Sequence, residues 1–266
     1  MSYSVRLRTK NHSAEELKGM LRTIRTKRPV VVRLGSRTPI SQIYPRFHSM
    51  AVEINSIEGI SNSRDKVIMK QCFDRGEVRT ARWSVINADI SSSWNIYPAI
   101  VKSKGSAKGN GIYLIENSQQ LSEFIGAHRN LGDYIIEEYK NFTKEYRLHV
   151  TADGCFYSCR KMLKSDATDR WHRHDSNCVW IVEENPLFER PKNWDDVITE
   201  CVKALNSVGL TTGACDVKIQ SEKGKRSDFM PDFIVMEINS APSMGNITTQ
   251  KYYEKITQIL TDANLI

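Results

Sequence analysis

The feature that most constrains this chain is a segment near its C-terminus, residues 232–242, with the sequence DFIVMEINSAP. Its apolar run predicts a buried β-strand that ends in Glu237, Asn239 and a Ser-Ala-Pro stop. Alternate side chains of a strand point to the same face, so Glu237 and Asn239 point the same way. Two neighbouring oxygen ligands suit Mg²⁺, which takes carboxylates together with phosphate oxygens. A strand that merely ends in polar residues is the alternative interpretation.

A second strand is predicted at 212–219, and the basic turn at 221–229 would return the chain to the strand at 232–238. Asp216 then lies on the strand beside Glu237 and Asn239. We therefore expect these three oxygen-bearing side chains to converge on one or two metal ions.

A glycine-rich and lysine-bearing segment, 103–111, lies between predicted strands at 97–102 and 112–115. Glycine permits the backbone conformations in which N–H groups turn inward and hold phosphate oxygens. A plain turn is the alternative. The segment is not a Walker loop, because no GK[ST] follows and no helix begins there.

The remaining pattern alternates helices and strands. We expect a helix capped by Ser13 and ended by Pro29, and another capped by Ser63 that covers Asp65 to Phe73. Further helices are predicted at 118–127, 194–208 and 249–260, and strands at 30–34, 134–139, 145–150 and 155–162. The polar segment 164–179, which contains His172 and His174, is long enough to indicate a functional loop. The chain is predicted to be of the α/β class.

Length and composition exclude several classes of protein. The 266 residues are 40% hydrophobic, which suffices for a sizeable core. No apolar run approaches the roughly 18 residues of a membrane span, and the N-terminal residues lack the apolar core of a signal peptide. The six cysteines form no CxxC pair, so we interpret them as reduced thiols. The sequence predicts a cytoplasmic protein with no membrane partner.

The net charge of +7 is concentrated in one part of the chain. Residues 1–60 contain 11 Lys/Arg and 4 Asp/Glu, whereas the rest contains 27 of each. This basic N-terminal region would attract an anionic partner such as a nucleic acid or an acidic peptide. A solvated surface that only aids solubility is the alternative.

The order of these motifs resembles the ATP-grasp superfamily and, within it, the RimK-like carboxylate–amine ligases, over about residues 54–245. The HRD and DFG motifs of protein kinases and the KxDG motif of polynucleotide ligases do not occur. The resemblance implies an α/β fold with α+β lobes, in which two small lobes hold the nucleotide and a short N-terminal α/β lobe precedes them. The implied boundaries are 1–62, 63–140 and 141–266.

The resemblance also implies roles for individual residues. Lys66 and Lys102 are similar to the family's two lysines, of which the second binds ATP phosphate. The mobile glycine loop corresponds to Ser106, Gly109 and Gly111, with Gly105 slightly early. The other implied positions are Glu137, Glu138 and Tyr139 at the adenine edge, Glu145 at the ribose, Arg147, Lys161, Arg173 and Asn177 near the reacting groups, and Asp216, Glu237 and Asn239 as ligands of Mg²⁺ or Mn²⁺.

The implied activity is ATP-dependent formation of an amide bond from a carboxylate and an amine, through an acyl phosphate. The donor would be an amino acid or peptide, and the acceptor an amine on a small molecule, peptide, protein or modified nucleic acid. Two alternatives stay open: a nucleotide-binding regulatory protein that keeps the fold without turnover, and a nucleic-acid-binding module built on the basic N-terminal region. Assembly into a homo-oligomer stays open as well.

Overall fold

The computed structural model describes residues 2–105, 111–168, 170–174 and 176–266. Its strands are, in chain order, β1 Tyr3–Ser4, β2 Arg6–Thr9, β3 Arg25–Thr26, β4 Val30–Leu34, β5 Val52–Ile54, β6 Trp83–Val85, β7 Ala99–Ser103, β8 Ile112–Ile115, β9 Tyr134–Glu138, β10 Lys144–Thr151, β11 Gly154–Leu163, β12 Cys178–Val182, β13 Thr212–Ile219 and β14 Phe233–Asn239. Its α-helices are α1 Glu15–Thr23, α2 Ile40–Ile43, α3 Ile57–Arg64, α4 Lys66–Arg75, α5 Ile90–Ser93, α6 Ser118–Ala127, α7 Trp194–Val208 and α8 Asn246–Asp262. No helix in these ranges is both long and apolar enough to cross a bilayer.

Three sheets, each with helices packed on it, make up most of the structure. The N-terminal sheet is parallel, in the order β2-β4-β5. The central sheet is antiparallel, in the order β6-β9-β7-β8, and the C-terminal sheet is antiparallel, in the order β12-β11-β10-β13-β14. Strands β1 and β3 form a separate short ribbon.

Each sheet contributes to its own buried cluster of apolar side chains. Helices α3, α4 and α7 pack against the C-terminal sheet through residues such as Phe73, Leu205 and Val235. The central sheet forms a second core with α5 and α6. The N-terminal sheet forms a third core with α1 and with the last helix, α8, which contributes Tyr252 and Leu260. The two ends of the chain therefore share one core.

Two predicted helix starts are wrong. Ser13 does not cap α1; it lies in a 3-10 turn, His12–Ala14, whose cap is Asn11. The Ser13 hydroxyl instead accepts a hydrogen bond from the Met244 N–H at 3.0 Å. Local sequence does not reveal a hydrogen-bond partner so far along the chain. Because the Ser13 hydroxyl binds Met244, it does not cap the helix.

The second wrong cap is Ser63, which lies inside α3. Asp65 separates α3 from α4, and its carboxylate accepts from the N–H groups of Val67 at 2.9 Å and Ile68 at 3.2 Å. Both Ser and Asp are good caps, and here the acidic side chain next to the helix start makes the bonds. Lys66 is consequently the first residue of α4.

Other element boundaries differ modestly from expectation. The first helix ends at Thr23 instead of reaching Pro29, because the chain turns there into β3. The final helix begins at Asn246 rather than at 249. The predicted antiparallel return of 232–238 onto 212–219 is confirmed, with Asp216 opposite Glu237.

Candidate functional site

One face of the C-terminal sheet carries most of the predicted site residues. In β10, Tyr146 and Leu148 point into the core beneath α7, so the alternate residues Glu145 and Arg147 point to the opposite face. The register then places Asp216 of β13 beside Arg147. This alternation brings side chains from five strands to one surface.

The two predicted metal-ligating carboxylates and the carboxamide lie together on this face. Arg147 donates two hydrogen bonds to Asp216, from Nε to Oδ1 at 2.7 Å and from Nη2 to Oδ2 at 2.8 Å. Asn239 Nδ2 lies 3.1 Å from Glu237 Oε1 and 3.4 Å from Asp216 Oδ2. Burial alone would raise the pKa of Asp216, but the charge and hydrogen bonds of Arg147 outweigh it and lower this pKa. Asp216 is therefore held in its ionised form.

The chemistry of this donor set fits a magnesium ion. Within the described ranges, no group of three or more His, Cys, Asp or Glu side chains could hold a metal. Here the set comprises two carboxylates and Asn239, and Mg²⁺ commonly takes only one or two carboxylates and fills its other positions with water and substrate phosphates. Asp216 accepts two bonds from Arg147, yet a carboxylate has about four lone-pair sites. Arg147 thus orients Asp216 without using all of its acceptor capacity.

Two lysines from different elements converge on Glu137 in the central sheet. Lys70 Nζ, on α4, lies 2.6 Å from Glu137 Oε1, and Lys102 Nζ, on β7, contacts Oε2. Lys70 also donates to Thr80 Oγ1 at 2.6 Å, and that hydroxyl donates to Val235 O at 2.8 Å. This chain of bonds links the lysines directly to β14 of the C-terminal sheet.

The electrostatics of this group follow from its burial. Burial would raise the pKa of Glu137, but the charges of Lys102 and Lys70 lower it to about 2. Burial lowers the pKa of both Lys66 and Lys70, and the charge of Glu237 opposes that effect in each. For Lys102 the nearby carboxylates outweigh burial and raise the pKa. All three ammonium groups therefore lie within electrostatic reach of Glu237.

Sequence reasoning did not identify Lys70 as a site residue, although its spacing of four residues from Lys66 indicates one. Lys66 and Lys70 are one turn apart on α4, so both point to the same side of that helix. Burial at 1% exposure is unusual for a lysine and requires a partner, which here is Glu137.

The position of Glu137 argues against its expected role at the adenine edge. Its carboxylate contacts the two lysines, and its strand pairs on both sides, with β6 and with β7. The neighbouring residues are less buried: Glu138 pairs with Lys140 at 2.6 Å, and the Tyr139 hydroxyl donates to Trp171 O at 3.3 Å. A contact with the base would thus fall to residues 138–140.

A second charged group surrounds Glu145. Lys161 and Arg173 each approach its carboxylate at 3.9 Å, and Lys161 Nζ also donates to Arg173 O at 2.8 Å. Burial raises the pKa of Glu145, with Lys161 and Lys218 opposing it. Burial also lowers the pKa of Lys218, to about 8. The structure thus brings Lys161, Arg173 and Glu145 together and adds Lys218, which was not anticipated.

Arg173 has a donor available for an anion. Its Nη2 donates to Thr143 O at 2.6 Å, whereas its Nε is buried and, among the described residues, has no hydrogen-bond partner. Asn177, expected in the same role, uses its side chain within the loop: its Oδ1 accepts from His174 N and its Nδ2 donates to His172 O, both at 2.9 Å. Asn177 therefore shapes the loop that presents Arg173.

Trp180, on the edge strand β12, is a further residue of this face that sequence reasoning missed. The guanidinium carbon of Arg147 lies 4.8 Å from its ring centroid, and Lys161 Nζ lies 5.4 Å away. Trp180 is 38% exposed, so its ring forms an accessible wall beside both cations. Strand β12 pairs Trp180 with Lys161 and so places its ring on this face, and the polar segment 164–179 before it gives no strand signal in the sequence.

The glycine loop is only partly described. Ser106 and Gly109 lie outside the described residues. Gly111 has φ 65° and accepts a hydrogen bond from Ser103 N at 3.0 Å at the start of β8. A positive φ is readily adopted only by glycine, which explains that residue type here.

Known proteins resemble this chain in sequence and in fold, although no family model matches. It is 27% identical, over 205 residues, to the probable alpha-L-glutamate ligase 2 of Hahella chejuensis, an alignment that covers 73% of this chain and 60% of that protein. The chain therefore spans less than two thirds of the length of this relative.

Solved structures match over more of the chain. The D-alanyl-alanine synthetase A of Vibrio cholerae aligns with a TM-score of 0.60 at 15% identity, covering 88% of this chain and 76% of that one. The ATP-grasp ligase PsnB in complex with a minimal precursor aligns with a TM-score of 0.58 at 15% identity, covering 87% and 79%. The expectation from the motifs is confirmed: this chain has the ATP-grasp fold, and its sequence resembles the alpha-L-glutamate ligases.

Proposed function

We propose that the protein is an ATP-dependent carboxylate–amine ligase, which forms an amide bond and releases ADP and phosphate. One observation carries the proposal. Three lysines, Lys66 and Lys70 of α4 and Lys102 of the central sheet, lie within electrostatic reach of Glu237. The bonds from Lys70 through Thr80 to Val235 connect this group to the strand that bears Glu237. Cations and oxygen ligands brought together from separate elements are what a nucleoside triphosphate with its metal ion requires.

The reaction begins with a carboxylate, which is a poor electrophile. Transfer of the γ-phosphoryl group from ATP to a carboxylate oxygen gives an acyl phosphate and ADP. The amine then attacks the carbonyl carbon, and phosphate leaves from the tetrahedral intermediate as the amine loses its proton. Such phosphoryl transfer depends on positioning and on neutralising charge, with no need for a protein nucleophile.

Different residues of this chain would bind the phosphates, the metal ion and the reacting group. Lys66 and Lys102 would bind phosphate oxygens, while Lys70 and Glu137 hold Lys102 in place. Asp216, Glu237 and Asn239 would hold Mg²⁺, or Mn²⁺ in its place, which neutralises charge on the phosphates when bound. The unpartnered Nε of Arg173 suits an anionic oxygen of the reacting group. Arg147 orients Asp216.

The proposal defines the two substrates by their chemical class. The named relative is a probable glutamate ligase, so glutamate is the first amino acid to test as one of the two reactants. The acceptor is an amine on a small molecule, peptide, protein or modified nucleic acid. A cytoplasmic location and a homo-oligomeric state remain predictions that belong to the whole protein.

A phosphate-release screen tests the proposal. The protein is incubated with Mg-ATP and with pairs of amino acids, short peptides and amines, each also supplied alone. Phosphate and ADP should appear only when a carboxylate and an amine are both present, and mass spectrometry should detect the amide. A protein that binds ATP with full affinity and never turns over with any pair would instead support a regulatory nucleotide-binding role.

A further inference from the structure

A basic cavity lies in the N-terminal region, apart from the site described above. It has a volume of about 280 Å³ and is lined by Ser4, Val5, Arg6, Leu7 and Arg8 around β2 and by Lys18 and Arg22 of α1. Four of these seven side chains are cationic and none is acidic. We call this cavity the β2 pocket. It brings together four of the eleven Lys and Arg residues of the basic N-terminal region.

Two of the four cations form neither an ion pair nor a side-chain hydrogen bond with the described residues. In the described part of the chain, neither Arg8 nor Arg22 forms an ion pair, and Nε of Arg8 is buried with no hydrogen-bond partner. The other two are engaged: Lys18 pairs with Glu15 at 2.8 Å, and Arg6 donates to Ile43 O at 2.6 Å. A buried donor without an acceptor is costly, and an anion bound in the pocket would satisfy it.

The geometry of the wall favours an extended peptide over an isolated ion. Strand β2 is an edge strand of its sheet, with β4 as its neighbour, and its residues Arg6, Leu7 and Arg8 line the pocket. The two lining residues before them are already paired: Ser4 lies opposite Arg25 of β3, and Val5 N donates to Ile24 O at 3.4 Å. An edge strand can receive a further strand through main-chain hydrogen bonds, with side-chain pockets giving specificity. Arginines beside such an edge match carboxylates, which they bind in bidentate fashion.

The β2 pocket is also connected to the proposed ligase site. The strand leads into Asn11, whose Nδ2 donates to Pro242 O at 2.9 Å, and Thr9 is bridged to Gly35. A Cβ placed on Gly35 would lie 2.7 Å from the Ala241 Cβ, so this turn is tightly packed on the segment that follows Asn239. A chain lying along β2 would therefore be directed toward the end of β14.

We propose that the β2 pocket binds the carboxylates of an acidic peptide, held in extended form along β2, that carries one of the two groups to be joined. The proposal rests on the proposed ligase function for the fate of the peptide, but not for its binding. Binding can thus be measured without turnover. The chemical class recognised is a run of carboxylates on a polypeptide.

The test is fluorescence anisotropy with labelled hexaglutamate and with labelled hexaglutamine as the uncharged counterpart. Hexaglutamate should bind and hexaglutamine should not. Arg22→Glu reverses a pocket charge at an exposed position, and Arg8→Gln removes one, so each should weaken binding about tenfold. Arg129→Glu makes the same charge change at an exposed position after α6, outside the pocket, and should alter affinity by no more than about twofold.

Three results would overturn the proposal. One is no binding of hexaglutamate; another is equal weakening by all three substitutions, which would indicate a diffuse basic surface. The third is an oligothymidylate of equal charge that binds more tightly with the same dependence on Arg8 and Arg22, which would assign the pocket to nucleic acid. Each variant is checked by its circular dichroism spectrum and ATP affinity, both expected to be unchanged. Peptide binding with no phosphate release in any substrate screen would refute the ligase function and leave the docking site standing.

Discussion

Individual side chains in the candidate site are held by partners from distant parts of the chain. Arg147 orients Asp216, and Glu137 joins Lys70 to Lys102. In both groups a charge that would be costly to bury alone is compensated by opposite charge at hydrogen-bonding distance. We propose that some members of these groups contact substrates and that others hold them in place, and substitutions should separate the two functions.

The Glu237→Ala substitution should impair turnover while leaving the stability of the fold nearly unchanged. The Glu237 side chain is only partly buried, and its Oε1 accepts a hydrogen bond from Asn239 Nδ2 at 3.1 Å. Its loss should lower turnover at least about a hundredfold, because charge stabilisation at the phosphates is lost. The free energy of unfolding should change by no more than about 1 kcal/mol. Phosphate release and urea unfolding measure the two effects, and normal turnover of this variant would refute the site assignment.

Glu137→Gln should have the opposite profile and destabilise the fold. It leaves two buried ammonium groups without their carboxylate, a change that typically costs about 3 kcal/mol. Lys70→Met is the matched control, since it leaves Glu137 paired with Lys102, and it should cost clearly less. Urea unfolding at neutral pH compares them. Equal stability of wild type and Glu137→Gln would contradict the structural role of this carboxylate.

The same residue predicts a pH dependence. The folded-state pKa of Glu137 is about 2, below its usual value of 4.5. The stability that ionised Glu137 adds to the fold is therefore complete above pH 4.5 and is lost as the pH falls toward 2. The stability difference between wild type and Glu137→Gln should therefore shrink over this range.

At the scale of elements, strand β10 serves two faces at once. Its alternate residues support the core under α7 on one side and, on the other, carry Arg147 and then His149. His149 is 1% exposed, and its Nδ1 lies 3.1 Å from the hydroxyl of Tyr252 on α8. The strand therefore joins the site to the last helix through a buried polar contact.

His149 should make this contact sensitive to acid. Burial, assisted by the charge of Arg147, lowers its pKa to about 3, so the folded protein stays unprotonated there while the unfolded chain binds a proton below its usual 6.5. Between pH 6.5 and 5 this histidine should reduce the free energy of unfolding by about 2 kcal/mol. His149→Gln removes the titrating group and should flatten the urea-derived profile in this window. If the free energy of unfolding changes with pH equally in wild type and in His149→Gln, His149 is protonated in the folded protein.

For the whole molecule, the chief structural fact is that the ends of the chain meet. Helix α8 completes the core of the N-terminal sheet with Tyr252, Ile256 and Leu260. The N-terminal sheet should therefore depend for its stability on residues about 200 to 250 positions away, as is typical of compact folds with long-range contacts.

Leu260→Ala tests this dependence. Leu260 is fully buried, and its truncation should cost between about 2 and 5 kcal/mol. Hydrogen exchange should accelerate in β2 and β4, on the opposite end of the chain. Ile247→Ala, at a 43% exposed position of the same helix, is the control and should leave exchange in these strands unchanged. Faster exchange in α8 alone would show that the two ends unfold independently.

The sequence by itself determined the elements whose signals are local. Apolar runs and turn residues located β13 and β14, and the period of two placed Glu237 and Asn239 on one face beside Asp216. The ordered motifs were enough to predict the ATP-grasp fold. These inferences succeeded because they needed only neighbours along the chain or across one hairpin.

Only the tertiary structure decided which charges meet. Glu137 lay in a segment assigned to the adenine edge, yet it binds Lys70 and Lys102 from α4 and β7. The pairing of Arg147 with Asp216, the ring of Trp180 over Arg147, and the β2 pocket likewise join residues that are far apart in sequence. Burial and long-range packing choose such partners, because an ionised group buried among several candidates pairs with whichever opposite charge the fold brings within reach.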